Sequence, residues 1–357
     1  MNNKYTLEDL SQGRNNNLNL LRLFASFMVM YMHSLALCIA QQERDIMFTL
    51  SFNKALSGQV AVDIFFVISG FLIYRSYDRS QNIGKYLRAR FLRIWPLLGL
   101  FIMSTAFIIG PMLTKFTRAE YFETGLKDYL LNMVFASSYT RLPGVFTTHI
   151  NWSVNGSIWT LRYEVICYLM VLIFLPIAKR KKELIGVFAV ISAAVYLYFT
   201  YRFTGDHFFM FPREILVNLG RLSLHFEMGI LFYIYRDKII MSRKKFLVSI
   251  AGLVAGSYFL DYEIVFALFG SYLIMYIGFH DSKISRLYEK VGDLSYGVYI
   301  LSFLVQQLVI EYMGVSPDGY QAVRMDPYVN LGISTLIVLP LAYISWHLFE
   351  KQLLKLK

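Results

Sequence analysis

An imidazole set among carboxylates is an arrangement suited to general-base catalysis. A carboxylate holds the ring's tautomer and stabilises the imidazolium formed when the ring takes a proton. The chain supplies these parts as His33, Asp63 and Glu164, each inside an apolar run. A proton relay in a carrier, or a buried polar network that only fixes helix packing, would use the same residue types. A second set is basic. Arg90 and Arg93 are spaced i to i+3 on one helical face, a geometry able to clamp the phosphates of a cytoplasmic donor or anionic lipid headgroups. Arg22 precedes His33 by ten intervening residues. That spacing returns to about 20° from the start of the turn and separates the two by roughly 16 Å along one stripe.

Other groups carry less. Arg221 and His225 form an i, i+4 pair with Glu227 nearby and read as bundle-stabilising, and His347 reads as interfacial. Ser295, Tyr296 and Tyr299 could line a cavity. The two cysteines, Cys38 and Cys167, sit in apolar blocks and read as packing residues. There is no HExxH, nucleophile elbow, Gly-rich phosphate loop or metal-ligand spacing, so no metal is expected.

The elements that must position these groups are membrane helices. Of 357 residues, 56% are hydrophobic and only 17% charged, and the mean hydropathy is +0.47; a soluble domain carries about a quarter charged residues. The apolar residues fall in blocks of about twenty, the length that crosses roughly 30 Å of hydrocarbon. Collagen, coiled coil, disorder and a secreted disulfide scaffold are excluded. The pattern predicts an all-α polytopic membrane bundle of ten helices near 18–39, 58–77, 94–113, 158–178, 184–201, 215–235, 246–260, 263–279, 293–313 and 330–349. On these bounds His33, Asp63 and Glu164 all lie roughly 8 to 9 Å from the same membrane face. Charges at that depth cost on the order of 2.5 to 3.5 kcal/mol, so they face the bundle interior and are functional candidates.

The net charge of +11 points to the membrane and not to nucleic acid, because of where it sits. With the N-terminus inside, the inside segments hold 23 Lys and Arg, Lys4, Arg14 and Lys357 among them, and the outside segments nine. Lys and Arg are retained in cytoplasmic loops, so both termini are expected in the cytoplasm of a cell-membrane protein. The division is a cytoplasmic segment 1–17, a membrane domain 18–349 and a tail 350–357, with one long outside loop, 114–157, whose aromatics favour a folded lid.

Five pieces of the chain, in this order, resemble the acyltransferase 3 family of integral membrane acyltransferases. They are NLNLLRLFASFMVMYMH at 17–33, with Arg22 and His33; VAVDIFFVISGFLIY at 60–74; RARFLRIWPLL at 88–98, with Arg90 and Arg93; SIWTLRYEVICY at 157–168, with Glu164; and SYGVYILS at 295–302. The resemblance implies transfer of an acyl group, usually acetyl from acetyl-CoA, to a hydroxyl of a surface glycan or lipid-linked saccharide. It implies an essential His33, with Glu164 in its neighbourhood and Arg90 and Arg93 on the donor side. Three positions depart from the pattern: Arg162 where a small residue is common, Ser302 where a His is common, and HLFEKQ at 347–352 in place of Glu followed by Pro.

Together these readings predict that acyl-CoA binds from the cytoplasm along Arg22, Arg90 and Arg93. His33, oriented by Asp63 or Glu164, then activates an acceptor hydroxyl or carries the acyl group itself. A glycan-lipid flippase and a proton-coupled carrier are the alternatives.

Overall fold

A computed structural model describes residues 5–13, 16–280, 282–316 and 322–356; Lys4, Arg14 and Lys357 lie outside them. Eleven principal helices follow one another: α1 (Leu18–Cys38), α2 (Ser57–Ser80), α3 (Ile83–Leu113), α4 (Ile158–Arg180), α5 (Glu183–Tyr201), α6 (Arg213–Ile234), α7 (Arg243–Phe259), α8 (Tyr262–Gly278), α9 (Lys283–Val291), α10 (Ser295–Met313) and α11 (Pro327–Leu354). Local chemistry sets their starts. Asn82 caps α3 by accepting from the Lys85 amide at 2.8 Å. Asp326 caps α11 by accepting from the Tyr328 and Val329 amides, with Pro327 at the first helical position.

All ten expected segments are helical, but among the described residues only eight are long and apolar enough to cross a bilayer alone: α1 to α6, α10 and α11. The ten-span expectation is not confirmed at 246–279. There α7 is 17 residues long and opens on Arg243, Lys244 and Lys245, and α8 qualifies only when joined to α9. The third helix starts at Ile83, not near 94, so Arg90 and Arg93 lie within it. The last continues past 349 to Leu354.

Side chains sort the helix ends into two faces. At the basic face, Tyr5–Thr6 pairs antiparallel with Ile240–Met241, Arg75 donates to the Ser11 carbonyl, and His347 bonds the Val291 carbonyl. The N-terminal segment thus packs on the ends of α2 and α6, and the last helix on the end of α9. At the opposite face Lys54 donates to the Leu260 carbonyl. There 114–157 is folded, with Thr114 donating to Pro143 and Arg162 to the Ser137 carbonyl.

α2 is the central helix and is mostly buried, whereas α5 and α11 expose most of their length. Side chains such as Val190 and Leu336 stand out from them, as a lipid-facing surface requires. α2 crosses α6 where Gly70 meets Gly229, and a Cβ on Gly70 would lie 1.9 Å from the Phe226 carbonyl oxygen. Backbone on that side does not yield as a side-chain tip would. Gly70→Ala is therefore expected to separate the two helices and lower the midpoint of thermal unfolding in detergent by several degrees, a shift of about 1–3 kcal/mol for overpacking. An unchanged midpoint would mean that the crossing is loose.

Candidate active site

The basic face opens into a cavity of about 1240 Å³, its solvent mouth included, lined among others by Asn19, Arg22, Arg90, Arg93, Tyr168 and Asp293. Arg90 and Arg93 thus share one wall, as their spacing requires. They differ in what holds them. Arg93 donates to Asp293 at 2.6 Å, lies 3.9 Å from Glu350, and rests on the Tyr296 ring. Arg22, from α1, is 3.6 Å from the same Asp293 oxygen. Burial raises the Asp293 carboxyl, but Arg93 and then Arg22 outweigh it and hold the group down at about 2. Arg90 lies over the Tyr86 and Tyr168 rings, so its charge is less committed to other side chains than that of Arg93.

Three of these lining residues, Arg22, Ser69 and Arg93, also line a second space of about 540 Å³ deeper in the bundle. Its walls include Val62, Phe65 and Phe66 of α2, Thr160 and Glu164 of α4, and Tyr296 and Tyr299 of α10. The two spaces thus share a wall at the arginines. Polar groups converge inside: Tyr168 donates to Glu164, and the Tyr299 hydroxyl lies 2.7 Å from that of Thr160 and donates to the Ser157 carbonyl.

His33 stands beyond this space. It is buried, its ring is 4.9 Å from Phe303 in an edge contact, and its Nδ1 has no hydrogen-bond partner. Phe303 follows Tyr299 by one turn of α10, so the imidazole sits about one turn further from the basic face than the cavity wall. Beside it a hydrogen-bonded network joins three helices: Gln306 donates to Ser34 at 2.6 Å and to the Met30 carbonyl, and Asn330 donates to the Gln306 carbonyl; the Gln306 Oε1 has no partner.

Neither carboxylate forms an ion pair or hydrogen bond with His33 among the described contacts. Asp63, expected beside it, points to the other side of α2, where Arg221 Nη2 is 3.0 Å from its Oδ1. Depth along a helix axis does not fix direction around it, and equal depth was the basis of that expectation. Glu164 does reach the inner space, with Arg22 and Arg93, but its hydrogen bond is to Tyr168.

Several site residues were not singled out from the sequence. Asp293 and Glu350 meet Arg93 only through the fold. On α10, Tyr296 and Tyr299, which with Ser295 were expected to line a cavity and do line the inner space, continue through Phe303, Gln307 and Glu311, which were not singled out, as one stripe at spacings of three and four. It runs from Arg93 past His33 to His149 of the 114–157 segment, whose Nδ1 is 2.8 Å from Gln307 and Nε2 2.7 Å from Glu311. That period was available in the sequence.

The acyltransferase domain of the acyltransferase 3 family matches residues 15–347. The O-acetyl transferase of Shigella phage Sf6 is 30% identical over 93% of this chain and 94% of its own length. Nodulation protein 10 of Rhizobium leguminosarum bv. viciae is 26% identical over 97% and 95%. No solved structure matches the chain. With a match that spans nearly every membrane helix and takes in Arg22, His33, Arg90, Arg93 and Glu164, the chain belongs to the acyltransferase 3 family of membrane acyltransferases.

Proposed function

We propose that the protein is an O-acyltransferase of the cell membrane. In this reading it takes an acyl group, acetyl in the simplest case, from cytoplasmic acyl-CoA and delivers it to a hydroxyl of a surface or lipid-linked glycan. The observation that carries this is that two neighbouring spaces, one polar and open to the basic face and one mostly apolar and deeper, share Arg22, Ser69 and Arg93 in their walls. A polar, cationic mouth leading into a narrower, mostly apolar space suits a ligand with phosphates at one end and a thin uncharged arm at the other. The name of the phage relative supports acetyl on oxygen, and the excess of Lys and Arg on the mouth's face supports the cytoplasmic side.

The steps follow from the groups present. Donor phosphates dock on Arg90 and the Arg22–Arg93 pair through charge-assisted hydrogen bonds. The pantetheine arm enters the space lined by Glu164, Thr160 and Tyr299, and the thioester travels along the α10 stripe toward His33. The buried ring with a free Nδ1 takes the proton of an acceptor hydroxyl arriving from the opposite face, and the alkoxide attacks the thioester carbonyl. The tetrahedral intermediate collapses with cleavage of the C–S bond, the leaving thiolate takes the proton back from the His33 imidazolium, and coenzyme A departs by the basic mouth. No carboxylate is required next to the ring in this scheme.

The test is transfer of radiolabelled acetyl from acetyl-CoA to membrane glycans by the purified chain in detergent or vesicles. Transfer that needs acetyl-CoA and no ion gradient is expected; substrate movement without acetyl-CoA consumption would overturn the reading. Arg90→Ala is expected to raise KM for acetyl-CoA about tenfold, the loss of one charge-assisted contact, with kcat little changed. An unaltered KM would remove Arg90 from donor binding.

A further inference from the structure

On the far side of α2 from the proposed donor path, three helices bring Asp63, His225 and Glu263 together, all three buried. One ligand-capable atom from each lies within 4.8 Å of the others. The ring of His225 has a determined orientation of its proton. Nδ1 is 2.8 Å from the Arg221 carbonyl oxygen, and a carbonyl only accepts, so Nδ1 carries the hydrogen. In the neutral ring Nε2 then presents a lone pair, and it faces Glu263 Oε2 at 3.6 Å.

Nε2, Glu263 Oε2 and Asp63 Oδ2 have no hydrogen-bond partner, while Asp63 Oδ1 is met by Arg221 Nη2 at 3.0 Å and by His225 Nδ1 at 3.6 Å. Two lone pairs confronting each other in a buried site repel unless a positive charge sits between them. A separation of 3.6 Å is long for a hydrogen bond. It is close to the roughly 3.4 Å between two ligands held tetrahedrally at 2.0–2.2 Å from zinc.

The surroundings agree. A ligating histidine normally donates its other ring nitrogen to a backbone carbonyl or carboxylate, and ligating carboxylates are themselves held by outer partners. Here the Arg221 carbonyl does the first and the Arg221 guanidinium, 3.0 Å from Asp63 Oδ1, does the second. With both carboxylates ionised, one guanidinium would leave one negative charge uncompensated in a buried site, which calls for a further cation or a bound proton. Arg221, Tyr262 and Glu263 also line an open cavity of about 990 Å³ on the face opposite the basic one, so an ion has a route in.

We propose that Asp63, His225 and Glu263 bind a divalent transition-metal ion of the Zn²⁺ or Mn²⁺ type, entering from the face opposite the donor mouth. One imidazole and two carboxylates, with no thiolate, suit those ions better than a soft one. The three ligands lie on α2, α6 and α8, so the ion would tie these helices together, and the proposal stands whatever the acyl donor proves to be.

The test uses the full chain in detergent, purified without chelator. Elemental analysis is expected to find about one zinc or manganese per chain. After removal by chelator, Zn²⁺ or Mn²⁺ is expected to raise the thermal unfolding midpoint of the wild type. Glu263→Gln and His225→Ala are expected to lose the bound ion and the midpoint shift. Wild-type protein that carries no metal and is not stabilised by either ion would overturn the proposal, and so would retention of the ion by both folded variants. If the variants do not fold, the wild-type measurements decide alone. A cluster balanced only by a bound proton predicts no metal and no Zn²⁺ or Mn²⁺ response.

Discussion

His33→Ala is expected to reduce acetyl transfer by a factor of about 10² to 10⁴, the usual contribution of a positioned general base, while the protein still inserts and unfolds at a nearly normal temperature. The ring makes an edge contact with Phe303 and leaves its Nδ1 without a partner, so its removal breaks no hydrogen bond at that atom. The neighbouring Gln306, Ser34 and Asn330 make their hydrogen bonds to one another without it. Activity and stability should therefore separate. The measurement is initial rate at saturating acetyl-CoA beside a thermal unfolding curve on the same preparation. Near-normal rates would remove His33 from the chemistry, and loss of both together would make it a packing residue.

Arg93→Leu should behave in the opposite way and cost the protein stability first. Its guanidinium neutralises Asp293 at 2.6 Å and lies 3.9 Å from Glu350, both largely buried. Deleting one partner of a buried pair leaves uncompensated charge, and about 3 kcal/mol of destabilisation is expected. Pairing Arg93→Leu with Asp293→Asn should recover part of that loss, which a double-mutant cycle in thermal unfolding would read as coupling. Additive single effects would show that the pair contributes little.

The acid dependence has a defined sign. Asp293 is held at about 2, below its ordinary 3.8. Its contribution is thus fully present above about pH 4 and fades as the pH falls toward 2. No loss from this group is expected across the neutral range.

The contrast between Arg90 and Arg93 shows how far spacing reaches. An i, i+3 pair must share a face, and both do line the same cavity. Nothing in the spacing says that Arg93 would be occupied by Asp293 and Glu350, about 200 and 257 residues away, while Arg90 rests on aromatic rings. Asp63 shows the same limit from the other side. Counting residues from a helix end gives depth, but Asp63 faces Arg221 across α2, away from His33.

Hydropathy and charge placement in the sequence are enough to establish a helical membrane protein, because apolar blocks about twenty residues long have few other stable solutions. The motifs around Arg22, His33, Arg90, Arg93 and Glu164 are enough to establish the family. Both are properties of short, contiguous stretches. The tertiary structure decided what depends on rotation and approach between helices: the placing of Arg22 and Arg93 in the shared wall of two cavities, the separation of Asp63 from His33, and the meeting of Asp63 with His225 and Glu263. Those relations are set by close packing at points such as Gly70 against Gly229, where one helix turns another through contacts between residues far apart in the chain.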